Sequence, residues 1–127
     1  MEIKALSTVT ISPRKVRLVA DAIRKLSLVD ALELLALAPK RSARPLTKVI
    51  QSAIANAVNN NHLAQDALRL KAVDVMEGPV MKRFHASTRG RIHPYKKQTS
   101  HIRIVLESVE KPKAVVKAKE KTEKEEE

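Results

Sequence analysis

Residues 79–103 (PVMKRFHASTRGRIHPYKKQTSHIR) limit what this chain can fold into more than any other stretch. They carry Lys82, Arg83, Arg89, Arg91, Lys96, Lys97 and Arg103 and not one Asp or Glu. The protein's one Phe and one Tyr, Phe84 and Tyr95, lie here with three of its four histidines, His85, His93 and His101. Gly90 is one of only two glycines. A segment so poor in aliphatic side chains buries too little apolar area to offset its ordering entropy. Its partner has to come from outside the chain.

The nature of that partner follows from charge. A net charge of +11 and a pI near 10.2 select a polyanion, either nucleic acid or an anionic membrane. Residues 79–103 supply +7 of that total. The tail, 111–127 (KPKAVVKAKEKTEKEEE), sets six lysines against five glutamates and reads as disordered low-complexity sequence. Its acids gather at the end, where they repel a polyanion, so it is expected to be dispensable for binding. The 127 residues then divide into one domain, 1–110, which includes a hairpin at about 76–103, and the tail. With aromatics at 2% the core has to be Leu, Ile, Val and Ala. The absence of cysteine excludes disulfides and thiolate metal sites and fits a reducing interior. No apolar run approaches the roughly 18 residues of a membrane span. The start, MEIKALSTVT, lacks the basic and apolar blocks of a signal peptide, so a cytoplasmic protein is expected.

Local patterns predict an α+β fold. Residues 2–11 alternate and are rich in Thr, Val and Ile, which predicts a strand. Ser12-Pro13 is a helix start, a hydroxyl N-cap followed by Pro at the first helical position. Val16, Val19, Ala20 and Ile23 then form one apolar face. Arg14, Lys15 and Arg17 oppose the helix dipole there. They are either a solvated face or a phosphate site, and both readings stand at this point. Ser27 and Asp30 form a loose capping box opening a short helix (Ala31, Leu32, Leu34, Leu35) that Pro39 stops. Lys40, Arg41 and Arg44 make a second basic cluster. Val49, Ile50, Ala53, Ile54, Ala57 and Val58 mark the clearest amphipathic helix, which Asn59-Asn60-Asn61 is expected to end because Asn tolerates the left-handed cap.

Residues 68–76 alternate as a strand, with Leu68, Leu70 and Ala72 on one face and Val73 and Val75 on the other. Gly78-Pro79 is read as a bulge or bend. Ile102, Ile104 and Leu106 define a last strand. Two strands flanking a basic segment predict a hairpin turning at Thr88-Arg89-Gly90-Arg91, with Gly90 free to take positive φ. Arms of about 13 residues each would reach roughly 40 Å at strand rise, well beyond the body of so small a domain.

Catalytic chemistry has no foothold. There is no phosphate-cradling glycine loop, no nucleophile elbow and no paired carboxylates in an apolar setting. His85 and His93 can face each other across the hairpin, but a metal needs three or four ligands and none is near. No cofactor is expected. Phe84 and Tyr95 are open to a place in the core, but each is flanked by cations, which favours stacking on nucleobases. DNA readers generally present a recognition helix, whereas an irregular basic finger suits folded RNA with its cavities and unstacked bases. A membrane surface calls for a basic amphipathic helix, and none is seen. A regulator that binds messenger RNA or DNA on its own is the alternative from another class.

Four runs, ISPRKVRLVADAIR from Ile11, SAIANAVNN from Ser52, EGPVMKRFHASTRGR from Glu77 and KQTSHIRIVL from Lys97, closely resemble the bacterial large-subunit ribosomal protein twenty-two family in order and spacing. The resemblance covers nearly everything up to about residue 110. It implies three helices on a three-stranded antiparallel sheet with a long protruding β-hairpin, and no enzyme activity. It further implies binding to large-subunit ribosomal RNA, a role in early subunit assembly and neighbouring large-subunit proteins as partners. The hairpin tip would line the nascent-peptide tunnel near the macrolide site and meet the nascent polypeptide. No self-association is expected. Ser12, Arg14, Lys15 and Arg17 match the family's helix-start motif. Met81, Lys82, Arg83, Phe84, Arg89, Gly90 and Arg91 match its hairpin, and Thr99, Ser100 and His101 its returning arm. With the residue-level reading, the expected RNA contacts are these together with Lys40, Arg41, His85, Tyr95, Lys96 and Lys97. The inner run His93-Pro94-Tyr95 departs from the family pattern.

Overall fold

The computed structural model describes residues 1–109; the tail expectation lies outside them. In chain order the elements are β1 (Glu2–Val9), α1 (Pro13–Ile23), α2 (Leu28–Leu37), α3 (Ala43–Asn61), β2 (Leu68–Glu77), β3 (Met81–Ala86), β4 (Ile92–Lys97) and β5 (Ser100–Ser108). Strands β1, β5 and β2 form one antiparallel sheet in that order, and β3 and β4 form a separate two-stranded one. The predicted α+β architecture is the one observed.

Strand β5 is last in sequence and central in space. Its Ile102, Ile104 and Leu106 are fully buried against the helices, each contributing roughly 1.5–3 kcal/mol by leaving water. Facing them across the core are Val16, Ala20 and Ile23 of α1 and Leu46, Ile50, Ala53 and Ala57 of α3. The alanines let α3 approach the sheet closely. Val58, expected on the same face, is exposed, and Ile54 is half-buried, so the buried stripe is narrower than the apolar pattern suggested.

Strand β2 departs from its expected alternation. Its pairing with β5 slips between Leu70 and Ala72, so one extra residue, Lys71, enters the strand and the side-chain phase inverts. Leu68, Val73 and Val75 thereby point into the same core, where the sequence pattern had put them on opposite faces. The displaced Lys71 turns outward between two carboxylates that the register sets directly opposite each other, Glu2 and Glu107. Its Nζ lies 2.6 Å from Glu2 and 3.8 Å from Glu107. The hydrogen bond from Lys71 holds the Glu2 carboxyl below its usual range, and that same bond to Glu2 raises the Lys71 ammonium.

The outer edge of β2 is covered by α1. Arg17 Nε donates to the carbonyl of Val75 at 3.2 Å and Arg24 donates to that of Val73 at 3.0 Å, occupying acceptors that would otherwise template pairing with another chain. The helix termini follow the sequence only in part. Ser12 is the N-cap of α1 with Pro13 at its first position, but its hydroxyl makes no capping bond. Ser27 accepts the amide of Asp30, and its own hydroxyl donates to the Asp30 carboxylate at 2.7 Å. Helix α3 runs through Asn61, and the left-handed residue that stops it is His62, at φ 51°, not one of the asparagines.

Candidate nucleic-acid interface

The hairpin of β3 and β4 pairs Met81 with Lys97, Lys82 with Lys96, Arg83 with Tyr95, Phe84 with Pro94, His85 with His93 and Ala86 with Ile92. Paired residues share a face and successive pairs alternate. One face therefore carries Arg83, His85, His93, Tyr95 and Lys97. The other carries Lys82, Phe84, Ala86, Ile92, Pro94 and Lys96. Every residue from 82 to 98 is exposed, Phe84 at 72% and Tyr95 at 49%.

This pairing is the reverse of what stabilises a free hairpin. Opposed strands gain when unlike charges meet and lose when like charges do, yet here lysine faces lysine and histidine faces histidine. A lone two-stranded sheet is at best marginally stable in water. Nothing on it is acidic. An arrangement of this kind is stabilised by anions placed between and around the cations, with aromatic faces left open to stack. Among the described residues no third His, Asp or Glu joins His85 and His93.

The tip sits where the sequence put it, with one addition. Arg89 and Gly90 both adopt left-handed backbone, φ 59° and 71°, and the amide of Arg91 reaches the carbonyl of Thr88 at 3.4 Å. Two successive positive φ values define the turn whose twist matches paired strands. Gly90 takes this conformation freely; Arg89 does so at a cost of about 1 kcal/mol. That Arg89 would join Gly90 had no clear sequence signal.

At the root of the finger, three of the expected contact residues make bonds within the chain. Thr99 and Ser100 are buried, 4% and 0% exposed, and their hydroxyls are used within the chain. Thr99 Oγ1 donates to the carbonyl of Pro79 at 2.6 Å and Ser100 Oγ to that of Ile11 at 2.8 Å. His101 is half-buried with Nδ1 2.6 Å from Thr8 Oγ1. These three bonds brace the finger where it leaves the sheet. Gly78 completes the brace. Its amide donates to Thr99 O at 2.9 Å, and a Cβ there would stand 2.5 Å from Thr99 Oγ1. Gly78-Pro79, expected to be a bulge or bend, lies between the end of β2 at Glu77 and the start of β3 at Met81, where three-stranded pairing gives way to two.

On the body, Arg14 and Lys15 are exposed beside Ser12, and Pro13 lines a small cleft of about 70 Å³ together with Gly78 and Thr99. The start of α1 thus adjoins the finger root. Arg17 has one donor committed to β2. Arg103 is bound to Asp74 at 2.6 Å, which removes it from the cations available to a partner. Lys40 and Arg41 are exposed between α2 and α3.

The sequence profile of the ribosomal protein L22p/L17e family matches residues 5–107. The chain belongs to this family. Among its curated relatives, the large ribosomal subunit protein uL22 of Mesoplasma florum is 50% identical over 107 residues, which is 84% of this chain and 96% of that one. That of Thermus thermophilus is also 50% identical, over 84% and 95% of the two chains, and that of Opitutus terrae is 46% identical over the same shares. The L22p/L17e match takes in all three helices, the whole finger and the sheet except Glu2–Lys4 of β1 and Ser108 of β5, while the Lys/Glu-rich tail lies beyond it. Membership in L22p/L17e therefore attaches to the body and finger as one unit.

Proposed function

We propose that this protein is a structural, non-catalytic constituent of the large ribosomal subunit, built into it by large-subunit ribosomal RNA. The observation that carries this is the exposed, acid-free hairpin that sets cation against cation, in a chain whose relatives are named large ribosomal subunit protein uL22. Lys82, Arg83, Arg89, Arg91, Lys96 and Lys97 neutralise phosphates, while Phe84, Tyr95 and His85 stack on or contact unpaired bases. Ser12, Arg14, Lys15, Lys40 and Arg41 hold RNA against the body, with Arg17 contributing the donors it does not spend on β2. Thr99, Ser100 and His101 act by fixing the angle at which the finger leaves the sheet. Residues 1–110 work as one domain, and the tail beyond stays outside the contact.

The finger enters RNA early in subunit assembly and so helps organise it. Its tip, Arg89 to Arg91, reaches the nascent-peptide exit tunnel and meets the nascent polypeptide, while the body contacts neighbouring large-subunit proteins. The protein acts in the cytoplasm without a membrane. Measured from Gly78, the reach to the tip is about 35 Å at strand rise.

Replacing Lys82, Arg83, Arg89 and Arg91 by Gln is expected to weaken binding to a large-subunit RNA fragment. The salt dependence should flatten by roughly three units of log K per log salt. In cell extracts the wild-type chain should co-sediment with large subunits at one copy each. An unchanged salt slope, or a chain confined to the light fractions as a free-standing regulator would be, overturns the reading.

A further inference from the structure

Apolar side chains stay uncovered on one flank of the body, at the opposite end of β5 from the finger root. Between α2 and the start of β2 lies an open groove of about 420 Å³, lined by Leu26, Val29, Leu32, Leu68 and Leu70. Leu68 is part of the core, whereas Leu26, Leu32 and Leu70 are half-buried and Val29 is 63% exposed. Removing such surface from water is favourable in proportion to its area, so the groove suits an apolar occupant. Its rim does not suit RNA. Asp66 lines it, and Asp30 and Glu33 each follow one of its apolar residues, Val29 and Leu32, on α2. Among the described residues these three acids enter no ion pair, while Glu2, Asp21, Asp74 and Glu107 do. Lys25 and Arg69 stand at the same groove, so the rim carries both signs.

The chain itself brings a segment to the mouth of this groove. The amide of Val109, the last described residue, donates to the carbonyl of Ala67 at 2.8 Å. Ala67 closes the short turn Gln65–Ala67, and Gln65, Asp66 and Leu68 around it all line the groove. Residues 110–127 therefore start beside it. Their sequence is mostly Lys and Glu, with one apolar run, Ala114-Val115-Val116. Lys111 and Lys113 precede that run, Lys117 and Lys119 follow it, and no acid falls between Lys111 and Lys119. Six residues of extended chain span about 20 Å, which puts Val115 within reach. So short a tether gives an effective concentration of about a millimolar. We infer that Val115 and Val116 dock in the groove against Leu26, Val29, Leu32 and Leu70, with the flanking lysines beside Asp66, Asp30 and Glu33. The contact holds the terminal glutamates toward the end of the body opposite the finger, away from its cations. The family match stops at residue 107, and this docking is independent of the RNA-binding reading.

The test uses the full chain with Ala118→Cys carrying a nitroxide, which is selective because the protein has no other cysteine. The methyl NMR signals of Val29, Leu32 and Leu70 should lose most of their intensity, while that of Ile92 on the finger keeps its own. Val115→Ser with Val116→Ser should restore the groove signals. Val29→Asp, at an exposed position outside the core, should restore those of Leu32 and Leu70 from the other side of the contact. Weak broadening spread evenly over the body, unaltered by either variant, would overturn the inference. Loss confined to Ile92 would do the same, by placing the tail on the finger. Mixing nitroxide-bearing chains with separately isotope-labelled ones should leave the groove signals intact. Their loss in that mixture would assign the groove to the tail of a second copy and overturn the intramolecular contact.

Discussion

The body and the finger handle charge in opposite ways. In the body, the cations on and beside the sheet are matched within the chain: Arg103 with Asp74, Arg24 with Asp21, Lys71 with Glu2 and Glu107. Among the described residues no buried side-chain polar atom there lacks a hydrogen-bond partner. In the finger, the strand register places Lys82 opposite Lys96 and His85 opposite His93, and no acid is within the segment. The body is a structure complete in itself. The finger is half of one, and in the proposed function its other half is RNA. Gly78, Thr99 and Ser100 form the seam between the two, and it is there that one regime can be set against the other.

The sharpest contrast is in stability. Leu46→Ala removes a fully buried side chain and should cost about 2–5 kcal/mol in urea denaturation. Phe84→Ala, on a side chain with no core contacts, should stay within about 0.5 kcal/mol. A comparable loss for Phe84→Ala would mean that the finger packs on the body after all. Next in size is the seam. Gly78→Ala drives a methyl into Thr99 Oγ1 and should cost about 1–3 kcal/mol. Unlike the core change, it should also lower RNA affinity at temperatures where the body stays folded, because the root is displaced. Intact affinity would show that the finger's exit angle does not matter.

At the tip, Gly90→Ala puts a Cβ on left-handed backbone with open space around it. About 1 kcal/mol of local strain is expected, visible as loss of cross-strand NMR contacts near Ser87 and Arg91 with no change in the melting of the body. The smallest effect belongs to the outer face of the sheet. Glu2 has its carboxyl lowered by Lys71, so its contribution is present above its ordinary value of 4.5 and is lost as pH falls through the lower, folded value. Lys71 is raised, so its share is complete below 10.5 and disappears as pH climbs through the higher, folded value. Wild-type and Glu2→Gln proteins should therefore differ slightly in melting temperature between those limits and converge in stronger acid and stronger base. A gap that persists at pH 2 would rule out this ion pair as its source.

Much of the fold was legible because the signals were local. Ser12-Pro13 marked the start of α1, Pro39 stopped α2, and Gly90 located the turn of the finger. What could not be read depended on a distant strand. The bulge at Lys71 exists only relative to β5, so the alternation in β2 looked like two faces when it was one. Nothing near Thr99 and Ser100 in the sequence announces that their hydroxyls go to Pro79 and Ile11. Arg17 carried its positive charge openly in the sequence, yet its Nε is spent on an edge-strand carbonyl.

For residues 79–103, the sequence alone determined that counter-charge has to come from outside the segment, since no rearrangement of a stretch without acids can supply it. Only the tertiary structure decided which of its cations the rest of the chain neutralises. Arg103 is withdrawn by Asp74, 29 positions away, whereas Lys82 and Lys96 are turned toward the same face with nothing between them. Net charge is a sum over residues and survives any fold. Pairing is a matter of a few ångströms, and those are set by strand register.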